Sequence, residues 1–500
     1  MADSASQGPA LFLRTTGYSR WWPWLLALLL VAVLLAACGK DAIRAEPTEV
    51  APTATPTPTP RPLGRFPEYQ IEARLDPAMR QVTGYQVLLF PNHTGQVLEE
   101  LVFRLYPNLP QYGGQMTVGD VRVDGEVVAT SLRAEGTSLA VALPHPLAPE
   151  TGVEVKLAYQ VEIPVKEAGY ALFAVSQGVW SVPDAYPLLA VYDGTAWHED
   201  VAPSHGDAVF ADAALYDVTL AIPQELTVAA TGIVVDEGVT QDGARRYRVT
   251  GGPFREFTWL ASADYQVVET MVDDIRLCSY YLPGDQAAGE TALGVSAAAL
   301  RVYQESYGEY PFDHMDVVEA PLLHFGMEYT GLNLIGIDLY RSHQTELEDR
   351  VVHEIAHQWW YAQVGNDQVN APWLDEGLAE YSMAVYYGKV LGEAQANTLV
   401  NQRWLVPYQV AVENDYDAVV NQPSSAFTWE YEVIVYAKAA LFFDALRQEL
   451  GDPLFFDVLR AYVDRYRWSV ANPEDFLAVA ESVSGRDLDE LYARWILSTH

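Results

Sequence analysis

The stretch that most restricts the fold is Val352 to Tyr361, VHEIAHQWWY. Its core, His353-Glu354-Ile355-Ala356-His357, sets two histidines four residues apart. On a helix, residues so spaced lie one above the other on the same face. Two imidazoles would then face one metal ion, with Glu354 beside them as a proton acceptor. Glu376 follows after eighteen intervening residues, in Pro372-Trp373-Leu374-Asp375-Glu376-Gly377-Leu378-Ala379-Glu380-Tyr381. It opens a second predicted helix, and its carboxylate completes a His2Glu ligand set with a fourth position left to water. Glu380, one turn further on, is placed either to orient a ligand histidine or to face solvent.

Upstream the chain changes character several times. Residues 1 to 20 carry Arg14, Arg20 and one acid, Asp3, ahead of the uncharged apolar run Trp24 to Ala37. The run ends in Leu35-Ala36-Ala37-Cys38-Gly39. A basic start, an apolar middle and small residues at the exit make a secretory signal over residues 1–38. Leu-Ala-Ala-Cys resembles the bacterial lipobox, which implies cleavage before Cys38 and lipid on that cysteine. An uncleaved helical anchor is the alternative, and Pro23 weakens it. Both readings expect an exported protein tethered to the outer face of the cell membrane. Residues 39–64 alternate Pro with Thr and Ala, with no apolar period, and are expected to form an extended linker.

Residues 65–268 read as β structure. In Tyr216 to Pro223, Val218, Leu220 and Ile222 fall on one face, the period of a half-buried strand. Thr83 to Phe90, Glu100 to Tyr106, Val153 to Ile163, Leu226 to Val235 and Arg245 to Thr250 are further strands between turn residues. Many short strands predict an antiparallel, sandwich-like domain. Trp197-His198-Glu199-Asp200 is a polar cluster best read as scattered surface residues. In 269–500, Met315 to Ala320 reads as a strand. Asp285 to Tyr307, Glu346 to Gln363, Trp373 to Val390, Glu432 to Leu450, Pro453 to Arg467, Pro473 to Val483 and Leu488 to Ile496 read as helices.

The chain carries 67 acidic against 30 basic residues, a formal net charge of -37. Nucleic acid binding needs basic patches, so no nucleic-acid partner is expected. Anionic lipid would repel such a chain, and any membrane link is expected through the N-terminal lipid anchor. Of the two cysteines, Cys38 lies in the signal segment, which leaves Cys278 alone in the folded part.

HEIAHQWW, followed at this spacing by WLDEGLAEY, resembles the gluzincin metallo-aminopeptidases of the aminopeptidase N and leukotriene hydrolase kind. Phe325-Gly326-Met327-Glu328-Tyr329 is similar to that family's GAMEN exopeptidase motif. Tyr431-Glu432-Val433-Ile434-Val435-Tyr436-Ala437-Lys438 is similar to the stretch with its catalytic tyrosine. The resemblance covers roughly residues 66 to 500 and describes a short, lipoprotein-like member. It implies an α+β fold: an N-terminal antiparallel β-saddle or sandwich domain, then a thermolysin-like, mainly helical zinc catalytic domain. It implies one Zn2+ per chain on His353, His357 and Glu376, Glu354 as general base, and Tyr436 as hydroxyl donor to the transition state.

The same resemblance makes Glu328 the carboxylate for a substrate's free α-ammonium, with Met327 and Gly326 beside it. The family adds a second amine contact from the β domain, for which Gln177 is the candidate. Tyr329 stands where the family usually has asparagine, Phe325-Gly326 where it has Gly-Ala, and Ala439 where it has glycine. The implied activity is removal of N-terminal residues from peptides with a free N-terminus. The alternatives are a gluzincin with endopeptidase or epoxide-hydrolase activity, or a non-catalytic surface scaffold. The full complement of ligand and base residues argues against the scaffold.

Overall fold

Alternating burial builds the first half of the molecule. Along Ala214–Ile222 the residues Tyr216, Val218, Leu220 and Ile222 are buried, and those between them are half-buried. The computed structural model describes residues 63–499, so Cys38, the apolar run before it and nearly all of the linker lie outside the described residues.

The strand Ala214–Ile222 belongs to an eight-stranded sheet with Glu68–Asp76, Gln81–Pro91, Gly152–Glu162 and Arg245–Phe254, among others. Its pairings are antiparallel with one exception. Glu68–Asp76 runs parallel to Ala214–Ile222, with Ile71 opposite Val218. The expected antiparallel domain therefore contains a parallel pair. Two four-stranded sheets join it, and Leu101, Phe103, Val155, Leu157, Trp259 and Leu260 lie in the shared core. The single strand expected at Leu226 to Val235 is two, Thr227–Ala230 and Ile233–Val239. The break falls at Gly232, whose φ of +95° a side chain would oppose.

Gln266–Val272 runs across the expected division at 268/269 and pairs with Ile275–Tyr281. These two strands join His314–Ala320, Leu332–Gly336 and Gly326–Tyr329 in a five-stranded sheet. Gly326–Tyr329 is the edge strand, and its register sets Glu328 opposite Asn333. The helix Gln286–Tyr307 packs against Leu347–Ala356 and Trp373–Val390, the two helices that carry the metal motif. Trp359, Trp360, Trp373, Phe442 and Phe443 fill the core around them.

The first motif helix ends at Ala356, well before the expected Gln363. The His357 ring donates from Nδ1 to the Trp360 carbonyl at 2.8 Å, and Tyr361 takes a φ of +137°. The turn frees backbone carbonyls inside the protein, which must find donors. Fully buried Arg255 supplies them, donating to the carbonyls of Tyr361, Gln363 and Ser469 at 3.1, 3.2 and 2.8 Å. Residues Glu432–Lys438, expected as α-helix, are wound as a π-helix that continues into the α-helix Ala439–Leu450. Among the described residues no helix is long and apolar enough to cross a membrane.

Candidate active site

The two motif helices bring three donors together. His353 Nε2 lies 3.0 Å from Glu376 Oε2, His357 Nε2 lies 3.1 Å from His353 Nε2, and His357 Nε2 lies 3.3 Å from Glu376 Oε2. All three residues are buried. Metal–ligand bonds of about 2.0–2.2 Å place tetrahedral donors about 3.3–3.6 Å apart, so this triangle fits a zinc ion with slight expansion. Burial disfavours the imidazolium of both histidines. The carboxylates outweigh it, Glu376 and Glu380 at His353, and Glu328 and Glu376 at His357, and hold both rings above their usual range. The site thus concentrates negative charge where a cation would sit.

The outer nitrogens of the ligand rings are also engaged. His357 donates to the Trp360 carbonyl, and His353 Nδ1 lies 3.3 Å from Glu380 Oε2, an ion-pair approach without an aligned hydrogen bond. Glu380 is buried rather than solvent-facing. It accepts from Arg403 Nε and Trp404 Nε1, both at 2.8 Å, and from Arg403 Nη2 at 3.1 Å. Burial would raise the Glu380 carboxyl, but Arg403 and His353 hold it well below the usual range. Neither Arg403 nor Trp404 belongs to a motif, and periodicity alone could not have found them.

Glu354 is buried on the same helix as the two histidines. Burial pushes its carboxyl up to about 7 against the opposing pull of His353 and Arg350. Arg350, one turn earlier, has Nη1 3.5 Å from Glu354 Oε1. Glu328, Glu354 and His357 each offer an atom within 4.8 Å of the others, so the edge strand delivers its carboxylate next to the metal donors. Gln358 holds that strand against the helix. Its Nε2 donates to the Tyr329 carbonyl at 3.1 Å and to Asn333 Oδ1 at 2.9 Å.

Beside Glu328 is a small, largely buried cleft lined by Tyr112, Asp207, Met327, Glu328, Tyr329 and Tyr361 among others. Gln368 donates to Glu328 Oε1 and to Asp375 Oδ2, both at 2.8 Å. Asp207 comes from the first half of the chain and was not anticipated. Its Oδ2 is buried and has no hydrogen-bond partner. Burial, then the Glu328 and Glu376 carboxylates, push its carboxyl well above the ordinary range.

Gln177 is not in the cleft, contrary to expectation. Gln177 and Gly178 form the tight turn between Ala174–Ser176 and Val179–Pro183, with φ of +50° and +82°. The Gln177 side chain is exposed and accepts from Arg341 Nη1 at 3.4 Å. Of the Trp197 to Asp200 cluster, His198 Nδ1 approaches Asp200 Oδ2 at 3.7 Å, and Glu199 turns away. His198 Nε2 lies 3.2 Å from Asp193 Oδ2, whereas Glu199 Oε1 lies 3.4 Å from Arg133 Nη1.

Tyr436, on the π-helical segment, donates its hydroxyl to Glu376 Oε1 at 2.6 Å, and its ring centroid lies 5.8 Å from that of His353. Tyr431 stacks edge-on against it at 6.0 Å and lies against Gly206, where a Cβ would fall 2.4 Å from the Tyr431 hydroxyl. Ala439 packs on Gly377, where a Cβ would fall 2.6 Å from the alanine methyl. The bare glycine of the second motif helix therefore makes room for alanine at this position.

Residues 291–495 match the model of the peptidase family M1 domain. The chain is 25% identical over 311 residues to a puromycin-sensitive aminopeptidase of Caenorhabditis elegans, covering 56% of this chain and 32% of that protein. It is 25% identical over 307 residues to an alanine/arginine aminopeptidase of Saccharomyces cerevisiae, covering 56% and 35%. The chain thus spans about a third of the length of these curated relatives. An M1 zinc metallopeptidase from Deinococcus radiodurans shares the fold, with a TM-score of 0.65 at 19% identity over 87% of this chain and 94% of that one.

Proposed function

We propose that the chain, whose residues 291–495 match the model of the peptidase family M1 domain, is a zinc-dependent aminopeptidase of the aminopeptidase N group of gluzincins. It removes N-terminal residues from peptides with a free N-terminus. The observation that carries this reading is the placement of two carboxylates, Glu328 and Asp207, at a cleft beside the donors His353, His357 and Glu376.

One Zn2+ held by His353, His357 and Glu376 would supply Lewis acidity and a more acidic water. Glu354 takes the proton of the attacking water on a carboxylate oxygen and hands it to the departing amine. A carboxyl raised to about 7 by burial is suited to holding and releasing that proton near neutral pH. The Tyr436 hydroxyl turns from Glu376 to donate to the oxyanion on the substrate carbonyl. Glu328 and Asp207 accept from the α-ammonium, which fixes the distance from the N-terminus to the bond that breaks. Asp207 takes the part expected of Gln177.

The apolar run, the Leu35-Ala36-Ala37-Cys38 motif and the Pro/Thr linker support export and a lipid anchor on Cys38. A panel of aminoacyl fluorogenic substrates, free and N-acetylated, on zinc-loaded protein tests the activity. Hydrolysis confined to free amines supports the reading; equal cleavage of acetylated peptides replaces it with an endopeptidase.

A further inference from the structure

His324, Asp338 and His343 each present one ligand atom, and these atoms lie within 4.8 Å of one another. His324 Nδ1 is 2.6 Å and His343 Nδ1 is 3.5 Å from the same oxygen, Asp338 Oδ2. The rings meet edge to face with centroids 4.4 Å apart. The cluster shares no residue with the catalytic donors.

The backbone holds it together. The His324 N–H donates to Asp338 Oδ1 at 2.9 Å. The Ser342 and His343 N–H groups donate to the Asp338 carbonyl at 2.8 and 3.0 Å. Asp338 is thus anchored through Oδ1 and its carbonyl, while Oδ2 is buried and faces both imidazoles without an aligned hydrogen bond. One imidazole would satisfy a carboxylate as an ion pair. A second ring aimed at the same oxygen gives a donor set that suits a bound cation.

We propose that His324, Asp338 and His343 form a second metal site, accessible to solvent, for a divalent transition-metal ion such as Zn2+. Two imidazoles and a carboxylate suit zinc, copper or nickel, whereas magnesium and calcium favour oxygen donors. The His343–Asp338 spacing already matches the about 3.3–3.6 Å between tetrahedral zinc donors, and His324 must withdraw by about 1 Å. Its side chain, 44% exposed on a loop, has room to do so. His343 Nδ1 must give up the Ser342 hydroxyl 2.9 Å away. With three ligands and partial exposure, the site is weaker than the buried one.

The ion would tie the catalytic cleft to its support. His324 and Phe325 lead directly into the edge strand with Glu328, and the Phe325 carbonyl accepts from the Gly336 N–H at 2.9 Å. Bridging His324 to Asp338 and His343 clips that approach to the segment after the neighbouring strand.

The test uses protein already holding its one tightly bound zinc, titrated with further Zn2+ by calorimetry and by metal analysis. A second equivalent should bind. His324→Ala and His343→Ala should each weaken it at least about tenfold, the scale of losses at metal sites, while the first zinc stays bound. Co2+ offered instead should add visible absorption that both variants lose, and Mg2+ should not compete. Retention of the first zinc reports that the variants fold, and the measurement does not depend on peptidase activity. The proposal is overturned if wild-type protein binds no second ion, or if both variants bind it as wild type does.

Discussion

A Cβ placed on Gly326 would fall 2.1 Å from Oε1 of Glu354. The glycine sits on the edge strand and the glutamate on the first motif helix, so the carboxylate occupies the space a side chain would fill. On the proposed function, Gly326 acts on catalysis through the position of Glu354. Gly326→Ala should displace the carboxylate and lower kcat by about 10²-fold, the effect of a misplacement on the order of 1 Å. Zinc content should stay at one per chain. Wild-type kcat in this variant would refute the packing argument.

The metal donors make a second prediction. After dialysis against zinc-free buffer the protein should retain about one zinc per chain, and a strong chelator should abolish activity. Glu376→Gln should weaken zinc retention. Glu354→Gln should keep zinc and lose turnover, because it removes the proton acceptor and leaves the ligands. Tight zinc retention after loss of both His353 and Glu376 would sink the assignment.

If His353 holds the metal, Arg403 acts on it at one remove, through Glu380. Arg403→Ala should leave Glu380 buried without its cation and weaken zinc affinity by roughly 10- to 100-fold. Competition with a chromophoric chelator measures this directly. An unchanged affinity would show that Arg403 serves only to pack the helix.

On the proposed function, the cleft carboxylates predict how blocked substrates are treated. A free α-ammonium should gain a charge-assisted bond to Glu328 of roughly 1.5–3 kcal/mol. Acetylation removes that charge, so kcat/KM should fall by at least about tenfold to a hundredfold. Glu328→Ala and Asp207→Asn should each lower kcat/KM for free amines and shrink the discrimination. A damaged zinc site would slow both substrates without changing their ratio, which separates the two causes.

The anchor is tested by mass spectrometry of the mature N-terminus. Cys38 should be the first residue and carry lipid, and Cys38→Ser should leave the precursor uncleaved. Several acyl chains give a stable anchor where one gives only marginal binding. An unmodified N-terminus elsewhere would rule the anchor out.

The core of the candidate metal site was legible because its residues follow local periods. His353 and His357 need only helical spacing to share a face, and the helix Trp373–Val390 lies where its sequence predicts, with Glu376 near its start. Strands such as Ala214–Ile222 announced themselves by alternation. Alternation states which residues face inward and says nothing of strand direction, so the parallel pairing with Glu68–Asp76 was invisible.

Tertiary structure decided everything that depends on groups distant in sequence. The first motif helix stops at Ala356 because the turn after it is held by Arg255, about a hundred residues upstream. Glu380 turns inward because Arg403 and Trp404 meet it there. Gln177 and Asp207 both lie in turns or loops, which have no period to show where a side chain points. Packing of the β half against the edge strand aims Asp207 into the cleft, while a turn with two positive φ values leaves Gln177 at the surface. The sequence alone determined which donor residues converge and the helices that carry them, because local geometry suffices for them. The cleft was decided by the fold, because its walls come from segments that meet only when the chain is packed.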